Sequence, residues 1–103
     1  MIYLTKENFN EEIEKYEGLA VIDLFATWCG PCRLIAPHLD SLEKEMPEVK
    51  FCKINVDEEP ELTRAFKVES IPTIALVKDN TFIDVLVGYV TKDKLFEFIN
   101  QYR

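Results

Sequence analysis

Basic residues are scarce in this chain of 103 residues: 12 Lys plus Arg stand against 19 Asp plus Glu, a net charge of −7. Nucleic-acid binding needs clustered Lys and Arg to neutralise phosphates, so the composition argues against a general nucleic-acid binder and reads as a solvated acidic surface. Cysteine is equally sparse, and three residues, at 29, 32 and 52, are an odd number and too few for a disulfide scaffold. No apolar run approaches the roughly 18 residues of a membrane span. The opening segment Met1 to Glu7 lacks the basic start and apolar stretch of a secretory signal. A cytoplasmic, membrane-free setting is therefore expected, where a close Cys pair points to catalysis or metal rather than to stapling. Linkers, repeats and low-complexity segments are missing too, so a single domain over residues 1–103 is expected, with 48% hydrophobic and 30% charged residues in the range of an ordinary globular protein.

What is present is periodic. Ile2 to Leu4 suits a short strand, and Phe9, Ile13 and Tyr16 recur at helical spacing from Asn8, with Glu11 placed to pair with Lys15 and Gly18 as the stop. Leu19 to Ala26 (LAVIDLFA) is nearly continuous apolar chain, the pattern of a strand covered on both faces in a parallel sheet, with Asp23 interrupting it. Beyond Pro31, which fits a first helical turn, Ile35, Leu39, Leu42 and Met46 make one buried stripe that runs back to Cys32; Pro37 is expected to kink this helix. Val49 to Val56 reads as a second buried strand and Glu59 to Phe66 as a short helix. Ile74 to Lys78 and Thr81 to Val87 form a hairpin across Asp79-Asn80. Thr91 caps a last helix with Leu95, Phe98, Ile99 and Tyr102 inward. The order β-α-β-α-β-α-β-β-α predicts an α/β fold with a central mixed sheet flanked by helices.

The chemistry concentrates at Trp28-Cys29-Gly30-Pro31-Cys32, which joins the end of a buried strand to the start of a helix. Unpaired N–H groups at a helix start favour negative charge. A thiolate at Cys29 is stabilised there and becomes the nucleophile, while Cys32, one turn along on the apolar stripe, resolves the mixed disulfide. Resolution requires Cys32 to lose a proton in a low-dielectric site. Asp23 is the candidate acceptor, because a carboxylate in an apolar strand is pushed toward holding its proton near neutrality. The competing reading sets Asp23 at an edge where it reaches water. Lys53, in the next buried strand, either pairs with Asp23 across the sheet and tunes it, or buries its stem and sends its head to solvent.

These pieces together resemble the thioredoxin family over essentially the whole length: Asp23 within LAVIDLFA, WCGPC at 28 to 32, Pro37, Lys53-Ile54-Asn55-Val56-Asp57, Ile71-Pro72-Thr73 and Val87-Gly88. A bare CxxC is weak; WCGPC with a distant IPT is specific. The resemblance implies a five-stranded mixed sheet with four helices, a redox disulfide between Cys29 and Cys32, and a cis Ile71–Pro72 bond beside the cysteines. It also implies a substrate groove of Trp28, Gly30, Pro31, Ile71, Pro72, Val87 and Gly88. Physically, an apolar rim with small residues admits an extended peptide, and the backbone of Ile71 is placed to pair with it like an added strand. Without the resemblance, Ile71 and Val87 read equally well as core packing, and Pro72 as a strand-start proline. The implied activity is general protein-disulfide reduction by a monomer with no bound cofactor, re-reduced by a thioredoxin reductase and acting on diverse disulfide-containing proteins.

The sequence departs from the family pattern at Phe25, where many members carry a second tryptophan, at Asn80 in place of a hairpin glycine, and at Arg33 in place of lysine. Three rival readings compete with the reductase. A closed zinc site needs four ligands, and beyond the pair only Cys52 and His38 remain, with His38 about 240° around the helix from Cys32. A redox-inert binding domain leaves the cysteines and Asp23 unexplained. An oxidase or isomerase on the same fold is disfavoured by Gly30-Pro31, which resembles reducing members. Cys52 faces opposite to Lys53 along its strand and is expected to be a buried packing thiol.

Overall fold

The computed structural model describes all residues, Met1–Arg103. Its five strands are β1 (Ile2–Tyr3), β2 (Leu19–Phe25), β3 (Lys50–Asn55), β4 (Thr73–Lys78) and β5 (Thr81–Val87), in the sheet order β1-β3-β2-β4-β5. Pairings among β1, β3 and β2 are parallel, and those of β4 with β2 and β5 are antiparallel, so the expected mixed sheet is present. The helices are α1 (Gly30–Glu45), α2 (Pro60–Ala65) and α3 (Lys92–Asn100).

Two cores form because strand side chains alternate between faces. On one face Leu19, Val21, Phe51, Ile74 and Leu76 pack under α1 and α3, meeting Ile35, Leu39, Leu42, Leu95 and Ile99. On the other, Ala20, Ile22, Leu24, Cys52 and Ile54 meet Leu4, Ile13 and the half-buried Leu62 and Phe66. β2 contributes to both cores, which explains why LAVIDLFA is apolar without alternation. The spacing of the helical stripe on α1 proves right: Cys32, Ile35, Leu39 and Leu42 are its buried residues, and the helix continues through Pro37.

The first expected helix is corrected. Residues Asn10–Glu14 form a π-helical turn, with the Lys15 N–H reaching back five residues to the Asn10 carbonyl at 2.9 Å. Ile13 is still buried and the Glu11–Lys15 pair forms at 2.9 Å. Gly18 is not its stop. The helical stretch has ended by Lys15, and Gly18, at φ +125°, instead ties the entry of β2 to the hairpin by accepting from Asp79 N–H and donating to Asp79 Oδ1. In that hairpin Asp79 and Asn80 both have positive φ, 50° and 62°, the signature of a type I′ turn, whose twist suits antiparallel strands. Thr91 caps α3, its side chain accepting from Lys94 N–H.

Candidate active site

The carboxyl end of β2 delivers Ala26, Thr27 and Trp28 to the amino end of α1, and Cys29 occupies the N-cap position. Its Sγ accepts from the Cys32 N–H at 3.2 Å, and its carbonyl accepts from Arg33 N–H. The sulfur accepts from a backbone donor that the first helical turn leaves unpaired, while the Arg33 bond to the N-cap carbonyl is the first of the helix ladder. The two sulfurs are joined as a disulfide, with Cα atoms 5.2 Å apart. Both cysteines are buried, at 5% and 3% exposure, so access alone does not distinguish them in this oxidised form.

Their surroundings do. Around Cys29 lie Trp28, 67% exposed, the exposed Pro31 and Gly30, whose missing Cβ leaves open space. The Trp28 indole N–H donates to Asp57 Oδ2 at 2.8 Å, which anchors the ring beside the disulfide. Arg33 donates to the Thr27 carbonyl and braces the same loop. Cys32 instead lines a cavity of about 250 Å³ shared with Asp23, Phe25, Ala26, Thr27, Arg33, Ala36 and Lys53. No group of His, Cys, Asp and Glu is arranged to hold a metal. His38 is half-buried, with Nε2 2.9 Å from the Tyr89 hydroxyl.

Asp23 is 2% exposed, and its Oδ1 has no hydrogen-bond partner. Burial pushes its carboxyl up from 3.8 to about 7; Lys53 pulls it back down and Asp40 pushes it up. Lys53 is opposite Asp23 in the β2–β3 register, yet its ammonium lies over the rings of Phe25, at 5.4 Å, and Tyr3, at 6.0 Å, rather than on the carboxylate. Cys52 is 1% exposed in the other core, and burial pushes its thiol up to about 11.

Across from the disulfide, the Ile71–Pro72 peptide is cis. Pro72 is buried, and its carbonyl accepts from Gly88 N–H at 2.8 Å, joining the two segments of the expected groove. Ile71 packs against Ala26, Cys29 and Cys32, while its own N–H and carbonyl bond to no other part of the chain. Val87 is 58% exposed and Gly88, at φ +90°, is half-buried, so neither is core. A larger cleft of about 550 Å³, between residues 65–70 and the Phe82, Val85 and Val87 side chains, touches neither cysteine. Only the smaller cavity brings a cysteine, Cys32, together with the buried carboxyl of Asp23.

The Thioredoxin family profile matches residues 1–101. The chain belongs to the thioredoxin family. It is 43% identical over 100 residues to a thioredoxin of Listeria monocytogenes, covering 96% of this chain and 95% of that protein. A thioredoxin of Chlamydia caviae is 44% identical over 99 residues, with the same coverage. An H-type thioredoxin of Ricinus communis is 43% identical over 98 residues, covering 92% of this chain and 82% of that one. A chain from a solved structure on thiol resolution in yeast mitochondrial 1-Cys peroxiredoxin through the glutathione and thioredoxin systems superposes with a TM-score of 0.89. It is 34% identical, and the match covers 98% of this chain and 94% of that one. Family membership and the close Cys29–Cys32 pair support thiol-disulfide oxidoreductase activity, which in this family means disulfide-containing substrates and a reductase partner. No helix is long and apolar enough to cross a membrane.

Sequence reasoning missed two contacts. Asp57 as the acceptor for Trp28 follows a loop conformation that no periodicity encodes, although Asp57 stands in the motif Lys53 to Asp57. The His38–Tyr89 contact joins residues 51 positions apart.

Proposed function

We propose that the chain is a general protein-disulfide reductase acting in the cytoplasm as a monomer, with no bound cofactor. The supporting observation is the cavity that Cys32, but not Cys29, shares with the buried carboxyl of Asp23. A thioredoxin reductase supplies two electrons and two protons to open the Cys29–Cys32 disulfide. Cys29, as thiolate at the positive end of α1, attacks one sulfur of the target disulfide, forming a mixed disulfide and expelling the other target sulfur as thiolate. Cys32 then passes its proton to the Asp23 carboxylate. Its sulfur attacks Cys29 Sγ, the Cys29–target bond breaks, and the target leaves as a dithiol once protonated.

Asp23 suits this step because a proton acceptor is most effective when its affinity lies near the working pH, and burial sets it there. Lys53 tunes Asp23 through its charge. The rim of Trp28, Gly30, Pro31, Ile71, Pro72, Val87 and Gly88 receives the target as an extended chain that pairs with the free backbone of Ile71. Backbone pairing carries little sequence information, so the range of targets is broad.

The experiment is reduction of a protein disulfide by the parent and by Cys32→Ser. Turnover is expected from the parent, and a stable mixed disulfide through Cys29, visible by intact mass, from the variant. An inactive parent that takes up zinc tightly would sink the proposal.

A further inference from the structure

Register places Lys53 between two unlike neighbours: Asp23 on β2 and Tyr3 on β1. Phe25, two residues beyond Asp23, stands on the same face of the sheet. The rings of Tyr3 and Phe25 meet edge to face, centroids 6.1 Å apart and planes at 64°. The Lys53 ammonium sits over both, 5.4 Å from the Phe25 centroid and 6.0 Å from that of Tyr3, within the roughly 6 Å over which a cation is drawn to an aromatic face. Meanwhile Asp23 Oδ1 is left without a partner. A lysine in direct register with a buried carboxylate would ordinarily close on it once it ionised. Here the rings compete for the same ammonium.

We propose that the Tyr3–Phe25 ring pair is a positioning device for Lys53, holding its ammonium off the Asp23 carboxylate and thereby governing how strongly Asp23 retains its proton. The other groups facing Asp23 do not substitute for it. From α1 come Asp40, which acts in the opposite sense to Lys53, and Cys32 and Arg33, which line the shared cavity. Arg33 is engaged with the Thr27 carbonyl. From β4 the register partner is the apolar Ile74. Lys53 is thus the cation whose placement can change, and the two rings are what it rests on.

The kinetic consequence rests on the Asp23 role proposed above; the positioning itself does not. Titration of the Asp23 carboxyl carbon by NMR, in the disulfide form, tests the positioning directly. Phe25→Leu and Tyr3→Leu are each expected to lower the midpoint, by on the order of half a pH unit, because the released ammonium moves toward the carboxylate. Phe25→Trp, which keeps an aromatic face, is expected to hold the parent value. Lys53→Met is expected to raise the midpoint, and adding Phe25→Leu to it to change nothing further.

Tyr3 is exposed, so Tyr3→Leu remains a test if Phe25→Leu disturbs packing. A midpoint that stays put or rises in both leucine variants overturns the proposal. So does a Phe25→Leu shift of equal size with and without Lys53, which would mean that the enlarged cavity had admitted water. If the midpoints move as expected but the pH profile of mixed-disulfide release does not follow them, the positioning stands and the Asp23 proton-transfer role falls.

Discussion

Ile22 and Cys52 share one rung of the β2–β3 ladder, and Asp23 and Lys53 share the next. The first rung points into the core that also holds Leu4, Ile13 and Ile54, and there a thiol behaves as a small hydrophobe. The second points toward α1, where the packing is incomplete and a cavity of about 250 Å³ connects a carboxyl to Cys32. Cys52 and Cys32 are almost equally buried, so burial does not separate an inert cysteine from a redox one. What separates them is the company: a helix terminus with a bonded partner sulfur and a nearby buried carboxyl for Cys32, and close-packed aliphatic side chains for Cys52.

The hardest way to break that contrast is to remove the nucleophile. Cys29→Ser should cut protein-disulfide reduction by roughly 10³-fold or more, since a hydroxyl at this position neither ionises near neutrality nor bonds to sulfur in exchange. Retained turnover, followed by the appearance of target thiols, would mean that the pair at 29 and 32 is not the reaction centre.

Asp23 sharpens the comparison through pH. Its folded pKa, about 7, lies above the ordinary 3.8, so the native state binds this proton more tightly than the unfolded chain does. The sign follows: Asp23's contribution is most favourable below about pH 4 and is lost as the pH rises through about 7. Three units at about 1.4 kcal/mol each set the scale at about 4 kcal/mol. Asp23→Leu should therefore be more stable than the parent at pH 8, by up to that amount, and should lose the parent's decline between pH 4 and 7. Urea unfolding at a series of pH values reads both. The same substitution should impair turnover, so that one position trades stability for chemistry. A smaller effect is expected from Asp23→Asn on rate: release from the mixed disulfide slowed about 10² fold, with its formation nearly unchanged, as for a lost proton acceptor. Rapid-quench measurement of the two steps separates them.

Much of this contrast was legible in the sequence. The alternation rule alone sent Cys52 and Lys53 to opposite faces, and an unbroken apolar run around Asp23 implied a strand buried on both sides, as β2 is. WCGPC between a strand and a helix located the disulfide. Hidden from the sequence was whatever depended on a rotamer or a loop. Register put Lys53 beside Asp23, but whether its flexible stem turns to the carboxylate or to the Phe25 ring is a competition among three-dimensional neighbours. Phe9, Ile13 and Tyr16 fit an α-helical spacing, yet a π turn buries Ile13 as well, because one apolar anchor per turn does not specify which carbonyl each N–H reaches. Asp79-Asn80 was legible as a turn without its type, since both residues tolerate positive φ and only the backbone shows that both adopt it.

The smallest effects belong to Cys52. Burial pushes its thiol up to about 11, so at pH 8 only on the order of one molecule in a thousand would carry the thiolate, and close packing shields even that fraction. Native, oxidised chain should therefore resist alkylation by iodoacetamide at pH 8 over hours, whereas the unfolded chain should take up one equivalent, read by intact mass. Cys52→Ala removes one sulfur from a tightly packed wall and should cost about 1 kcal/mol of stability, visible as a lower urea midpoint, with disulfide reduction at the parent rate. A drop in reductase activity without a matching drop in stability would show that the two rungs are coupled through β3, and the division of labour between the two faces of the sheet would fail at that point.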